Sequence, residues 1–240
     1  MSKHFEEELQ DLHSDLLKMD AFAEEAIARS VEALREQDAR LAQAVIEHDA
    51  RIDALELVLD ERCLDLIARH QPMAKDLRFI ATAMRLNSEL ERIADLAVDI
   101  AQRVLELSGS PLLKPLVDIP KLAVLAQTMV KTSIDSFIVK DSELAKKVIL
   151  MDSEADRLKR LIQNELIQEY IVKDGSVAPR AVPLLLVARH LERICDHATN
   201  IAEDVIYLVK GEVVKHHPER ISDVKTYADQ PSAVNPPEYA

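Results

Sequence analysis

A polar row that occurs twice constrains this chain of 240 residues more than any other feature. The segment from Glu91 to Ala101 recurs from Glu192 to Ala202 at an offset of 101 positions, with the same polar row and nearly the same apolar pattern. In both copies a polar side chain returns every four residues, and residues i and i+4 lie on the same face of a helix. A repeat over such a distance predicts two similar helical halves.

Other segments repeat at nearly the same distance. Residues 133–137 echo residues 30–34, and Asp141 echoes Asp38, both at an offset of 103. Asp38 is a good N-cap for a second helix, and apolar residues recur at spacings of three and four, which is typical of packed helices. We therefore predict an all-α fold of two tandem three-helix bundles with short connections.

Proline and glycine mark the helix boundaries. We expect the first-half helices at about residues 5–34, 39–69 and 73–107, with Pro72 in the first turn of the third. The second-half helices are expected after Pro120, after Asp141 and over about 179–209. The predicted domains are 1–108 and 121–211, a Pro-punctuated linker at 109–120, and a flexible C-terminal tail at 212–240.

Charge and composition exclude several classes of function. A net charge of −13 argues against a nucleic-acid partner, because a phosphate backbone requires a basic face. The N-terminal residues are acidic and contain no secretory signal pattern, and we expect no membrane-spanning run. Cys63 and Cys195 are too few for a disulfide framework and are read as small buried hydrophobic residues. The expected location is the cytoplasm.

The repeated row lies beside the buried seam of the third predicted helix. Glu91 points sideways from that seam, while Asp95 and Asp99 turn progressively towards solvent. The second copy supplies the corresponding residues Glu192, Asp196 and Asn200.

Each half also carries a second acidic pair, on the helix before the row. The pairs are Asp49 with Asp53 and Asp152 with Asp156. Crowded carboxylates repel one another unless a cation neutralises them, and they are hard oxygen ligands. The rows therefore predict metal binding if the two helix faces meet, with Mg, Mn, Ca or ferric iron favoured over copper. The alternative is that these acids form ordinary solvated helix faces.

Motifs of other chemistry are missing from the sequence. It contains no Gly-rich phosphate loop, no nucleophile elbow and no Cys/His zinc spacing. The acidic rows contain no Glu-x-x-His and face outward, which disfavours a ferritin-like di-iron oxidase. We therefore expect a protein that is not an enzyme.

The motifs also resemble a known family. Gln71-Pro72-Met73-Ala74-Lys75-Asp76-Leu77-Arg78 and the two copies of the polar row resemble the PhoU family of bacterial phosphate-uptake regulators, over about residues 5–210. The resemblance implies paired three-helix bundles and a cytoplasmic homodimer. It also implies a link between the ATPase subunit of the phosphate ABC transporter, which recruits the protein to the membrane, and a phosphate-sensing histidine kinase. The phosphate-starvation response is then repressed when phosphate is plentiful.

Some members of that family carry multinuclear iron or zinc clusters on acidic motifs. Transferred by position, one cluster would use the first set, Asp49, Asp53, Glu91, Asp95 and Asp99. The other would use the second set, Asp152, Asp156, Glu192, Asp196 and Asn200. Asn200 replaces an acid, so the second site has one charge fewer, and Gln71–Arg78 has no match in the second half.

Two alternatives to a regulatory adaptor remain open at this stage. A carboxylate-bridged multinuclear metalloenzyme would need an open coordination position and a positioned base. A purely structural helical scaffold would need neither metal nor partner.

Overall fold

The computed structural model describes residues 3–214, and these residues form an all-helical protein. Its six helices are α1 (Lys3–Glu36), α2 (Ala39–His70), α3 (Lys75–Leu107), α4 (Asp118–Val139), α5 (Ser142–Glu165) and α6 (Ala178–Lys210). A π-helical turn (Leu166–Ile171) extends α5, and a 3-10 turn (Gly175–Val177) precedes α6. The predicted tail lies outside the described residues from position 215, and Val214 before it is buried.

The same local chemistry starts the second helix of each half. The Asp38 side chain accepts hydrogen bonds from the backbone N–H groups of two residues in the first turn of α2. Asp141 does the same at the start of α5, which confirms the predicted N-cap and its repeat. The preceding helices also end alike, because Gln37 and Lys140 both adopt a left-handed backbone with φ of 51° and 53°.

Two helix starts differ from the sequence prediction. Helix α3 begins at Lys75 rather than near Met73, because Ala74 has a φ of 48° that interrupts helical geometry. Helix α4 begins at Asp118, so Pro120 lies inside its first turn instead of before it. Proline is tolerated there because first-turn N–H groups have no partner within the helix.

Each half is a three-helix bundle, and the two bundles share a continuous apolar core. Helices α1, α2 and α3 pack together, as do α4, α5 and α6. Helix α3 also packs along α6, and α1 touches α4. Buried aliphatic side chains run from one bundle into the other through α3 and α6. These two helices therefore form the centre of the molecule.

Polar pairs across the α3–α6 contact follow the internal repeat. Asp99 Oδ2 lies 3.5 Å from His190 Nδ1, and Asn200 donates to Glu89 Oε2 over 3.2 Å. Asp99 and Asn200 are equivalent positions, and so are Glu89 and His190, each 101 residues apart. The two helices therefore cross antiparallel with pseudo-twofold symmetry. His197 Nδ1 adds a 2.6 Å contact to the same Glu89 carboxylate.

Among the described residues, α4 alone has the length and apolar composition of a membrane-spanning helix. Half of that apolar stretch is buried inside the protein, against its neighbours in the second bundle and α1. Packing in the core explains its composition.

Candidate metal centre

The predicted acidic faces of α2 and α3 meet in the first bundle. Asp49 and Glu91 are half-buried, while Asp53 and Asp95 are exposed at the edge of the same groove. The carboxylates act on one another electrostatically across the two helices, since Asp53 and Asp95 each raise the pKa of Asp49. One oxygen of Asp49, Oδ1, is buried without a hydrogen-bond partner among the described residues.

Burial and like charge raise the pKa values of this group, which we call the first cluster. Desolvation, reinforced by Asp53 and Asp95, raises the pKa of Asp49 to about 6. Desolvation and the charge of Asp95 are the main causes that raise the pKa of Glu91 to about 7. The pKa of Asp95 is also raised, first by desolvation and then by Asp53. The charge of Arg92 opposes the shifts of Glu91 and Asp95 without cancelling them, so the group remains short of positive charge.

Glu56 joins the first cluster and was missed by the sequence prediction. It lies on α2, one turn after Asp53, and its charge raises the pKa of Glu91. Its own pKa is raised by desolvation first, and then by Asp60 and Asp53. The i, i+3 spacing from Asp53 was the available signal, because residues three apart on a helix are neighbours.

Asp99 lies at the border of the first cluster. Its charge raises the pKa of Asp95, but its carboxylate also approaches His190 on α6. The prediction that it faces solvent is only partly right, because its side chain is 43% exposed and lies beside the second bundle. The helical wheel could not reveal this neighbour.

In the second bundle, a lysine occupies the position that corresponds to Glu56 in the first. Lys159 Nζ lies 3.1 Å from Asp156 Oδ1 and also contacts the carboxylate of Glu192. The hydrogen bond from Lys159 is the main cause that lowers the pKa of Asp156. Subtracting the offset of 103 from Lys159 gives Glu56, so the two halves carry opposite charges at this position.

We call Lys159 and the carboxylates around it, Asp152, Asp156, Glu192 and Asp196, the second cluster. Two of these carboxylates have raised pKa values. Desolvation, with Asp156 and Glu192, raises the pKa of Asp152, while Lys159 opposes the shift. Desolvation and the Glu192 charge raise the pKa of Asp196 to about 6. Asn200 does not join them through its amide group, which donates to Glu89 on α3 instead. The second cluster therefore has an internal counter-ion, and the amide of Asn200, which was predicted to belong to it, lies against Glu89 instead.

The donor chemistry of the two clusters fits a metal ion unequally. Within residues 3–214, no three His, Cys, Asp or Glu side chains converge closely enough to hold a metal as they stand, so binding requires side-chain rotation. The first cluster fits a hard cation, because it offers only oxygen ligands, mutual repulsion and the orphaned Asp49 Oδ1. The second does not fit equally well, because the Lys159 ammonium already lies between its carboxylates.

Comparison with known proteins follows the same division of the chain. A sequence model of the PhoU domain matches residues 16–104 and again residues 119–205. The chain belongs to the PhoU family. Both halves carry the domain, which confirms the fold class predicted from the internal repeat.

Several named PhoU relatives match nearly the full described chain. A "Phosphate-specific transport system accessory protein PhoU homolog" from Aquifex aeolicus is 43% identical over 209 residues, 87% of this chain and 94% of that protein. The homolog of the same name from Pseudomonas aeruginosa is 38% identical over 219 residues, 90% of this chain and 89% of its own length.

Solved PhoU structures share the fold. The crystal structure of PhoU from Pseudomonas aeruginosa superimposes with a TM-score of 0.83 at 37% identity, over 87% of this chain and all of that one. The phosphate transport system regulatory protein PhoU from Streptococcus pneumoniae gives 0.81 at 28% identity, over 88% of this chain and 99% of its own.

Proposed function

We propose that this PhoU-family protein is a cytoplasmic negative regulator of the phosphate-starvation response and a modulator of phosphate uptake. It acts as an adaptor between the ATPase subunit of the phosphate ABC transporter and a phosphate-sensing histidine kinase. The observation that carries this assignment is the match of the PhoU domain to both halves, together with relatives named as phosphate transport accessory proteins. The transporter recruits it to the membrane surface, and it works as a homodimer.

The surface of α2 suits a protein that acts by binding others. Leu57 and Leu64 are 68% and 58% exposed, and Val58 between them is half exposed. Residues 57 and 64 lie two turns apart and so share one face of α2, with the exposed Glu61 between them. Exposed apolar patches on soluble proteins mark contact surfaces.

The two thiols support a function without covalent catalysis. Cys63 and Cys195 are both buried, and desolvation raises the pKa of Cys63 to about 12 and that of Cys195 still further above its usual range. A buried neutral thiol is a poor nucleophile, because the reactive form is the thiolate.

The first cluster provides the metal centre of this function. Asp49, Asp53, Glu91 and Asp95 hold the ion or ions, which are iron or zinc in the first instance, with manganese, magnesium and calcium also suited to oxygen ligands. A bound cation supplies the positive charge that these carboxylates lack. Its role is structural, or it connects the protein to an anionic partner.

Gene deletion with a phosphate-starvation promoter reporter tests the regulatory role. In phosphate-rich medium, loss of the protein is expected to release the reporter, and re-expression of the wild-type chain is expected to restore repression. Unchanged repression in the deletion strain refutes the assignment. The same strain complemented with Asp49→Asn/Glu91→Gln separates the role of the metal, because a purely structural scaffold predicts full repression with this variant.

A further inference from the structure

A wide groove lies at the end of the molecule where α3 begins. Its volume is ≈ 810 Å³. Segments of α1, the start of α3, and the ends of α4 and α6 line it. We call it the four-helix groove.

The four-helix groove is basic although the protein as a whole is acidic. Lys75, Arg78 and Lys140 line it together with His13, and Asp76 is the single acidic residue among its described lining. The charge of Lys140 contributes, after desolvation, to lowering the pKa of His13, so the electropositive field reaches across the groove. The net charge of the chain is −13, which makes such a concentration of cations unusual here.

The three cations of the groove are not neutralised by ion pairs within the described residues. Elsewhere, Arg85 pairs with Asp204, and Lys114 pairs with Glu165. In the part of the chain that the structure describes, Lys75, Arg78 and Lys140 form no ion pair, and the buried Nε of Arg78 has no hydrogen-bond acceptor. Buried polar groups are normally satisfied, so the Arg78 Nε has room for an acceptor that the described side chains do not supply, such as a water molecule or a ligand group.

The internal repeat does not account for this cluster. The positions 101 residues after Lys75 and Arg78 hold Ser176 and Pro179, neither of which is charged. The position 103 residues before Lys140 holds Gln37, whose side chain donates to the backbone of the interdomain connection. The two bundles therefore have equivalent helix caps and buried helix faces, but the positions equivalent to these three cations are uncharged. The fold does not require them.

Apolar side chains lie beside the cations. Ile138 and Val209 line the groove and are 36% and 39% exposed. Phe79, which is half-buried, stacks on Phe137 with ring centroids 5.5 Å apart and carries Lys140 Nζ 5.6 Å above its ring. A mixed surface of this kind offers both charge complementarity and apolar contact, which is typical of protein interfaces.

We propose that the four-helix groove is a docking site for a partner-protein segment that combines carboxylates with apolar side chains. A small inorganic anion would use the cations but leave the apolar walls without contacts. The chain's own residues 215–240 are poorly suited, because they contain three basic residues (Lys215, Arg220, Lys225) against four acidic ones (Glu219, Asp223, Asp229, Glu238) and so carry little net charge. The unpaired cations and their apolar neighbours together select a protein segment.

Binding measurements with charge-reversal variants test this docking site, and they rest on the proposed function for their probes. The purified transporter ATPase subunit and the cytoplasmic part of the sensor kinase are titrated against the full chain. In Lys75→Glu/Lys140→Glu both changes fall on exposed side chains at helix ends. Arg78 is left intact because it lies beside the end of α6, near Gly211. The matched control is Arg40→Glu/Lys147→Glu, which alters two exposed cations outside the groove by the same charge.

The groove variant is expected to bind at least one probe tenfold more weakly than the wild type, with a smaller dependence on salt concentration. The control variant is expected to bind like the wild type, and circular dichroism checks that both remain folded. Equal binding by wild type and groove variant overturns the docking site while leaving the adaptor function standing. Binding of neither probe by the wild type overturns the adaptor function and the docking site with it.

Two further readouts identify a different occupant. The groove is an interface between copies of this chain if the groove variant alone changes oligomeric state in light scattering. It is a small-anion site if inorganic phosphate binds the wild type and not the groove variant in calorimetry. Either result overturns a partner-protein segment as the occupant.

Discussion

The first and second carboxylate clusters occupy equivalent places in two similar bundles but balance their charge differently. In the first, Glu56 adds another carboxylate to a group whose pKa values are already raised. In the second, Lys159 places an ammonium between Asp156 and Glu192. One position, equivalent in the repeat, thus changes a cluster that needs a cation into one that contains its own.

The difference shows that a duplicated fold can repeat its helices without repeating the charges that lie between them. Both bundles have the same aspartate N-caps and left-handed helix ends, which set the boundaries of the helices. The polar groove between the second and third helices of each half is not required for packing. It can therefore hold an external cation in one half and an internal one in the other.

Replacing Glu56 with the lysine found at the equivalent position of the second half should have the largest effect on metal binding. Glu56→Lys introduces into the first cluster the ammonium that the second already has, and we expect metal affinity to fall at least about tenfold. Calorimetric titration with zinc and manganese, and metal analysis of the purified protein, measure it. Glu61→Lys, an exposed position on the same helix, is the control for charge alone. Equal affinity in Glu56→Lys and wild type would show that the first cluster is not the metal site.

Removal of the internal counter-ion should destabilise the second bundle. Lys159→Gln leaves Asp156 and Glu192 without their shared partner, and loss of a hydrogen-bonded charge contact costs about 2 kcal/mol. We expect thermal unfolding to shift down by roughly 4–8 °C at neutral pH. Lys173→Gln breaks an exposed contact to Glu169 and should shift the transition far less. Similar shifts in both variants would mean that Lys159 is only a surface residue.

The first cluster should make the metal-free protein less stable as pH rises. The folded-state pKa values of Asp49 and Glu91, about 6 and 7, exceed their usual values near 4, so the folded state binds more protons across that range. Their contribution to stability is present below about pH 4 and is lost as pH rises through 6 to 7. Melting temperatures between pH 5 and 7.5 should therefore slope more steeply downward in the wild type than in Asp49→Asn. Identical slopes would contradict this, and saturating metal should also flatten the wild-type curve.

Conversion of Asp99 to the residue found in the second half should have the smallest effect. Asp99→Asn copies Asn200, and Asp99 lies at the border of the first cluster beside His190. We expect metal affinity to fall about threefold or less, with little change in melting temperature. A loss as large as that of Glu56→Lys would place Asp99 inside the cluster as a main ligand.

Much of the fold follows from the sequence because its signals are local or repeated. The predicted apolar seam of α3, including Leu90, Ile93 and Ala97, is buried as expected. The two aspartate caps and the break before α6 also match. Helix starts were less accurate where the backbone of a single residue, Ala74, decides the boundary.

The contact between α3 and α6 could not be predicted in this way. Periodicity identifies which face of a helix is buried in its own bundle, but Glu89 and His190 belong to polar faces that look solvated in the sequence. Their burial depends on how two completed bundles meet. The charge of Lys159 was visible in the sequence, but its meaning required the observation that it reaches Glu192 on a neighbouring helix.

Helix α3 is a single rod of about 50 Å at 1.5 Å per residue. Lys75 and Arg78 border the four-helix groove at its start, Glu91 lies in the first cluster about 20 Å further along, and Glu89 faces the second bundle. A helix rotates as a rigid body, so a rotation that moves Glu91 also moves Glu89. Glu89 lies two residues before Glu91 and about 200° away from it around the helix axis. Helix α3 therefore connects three features of the molecule. They are the protonation state of the first cluster, the contact between the two bundles and the edge of the four-helix groove.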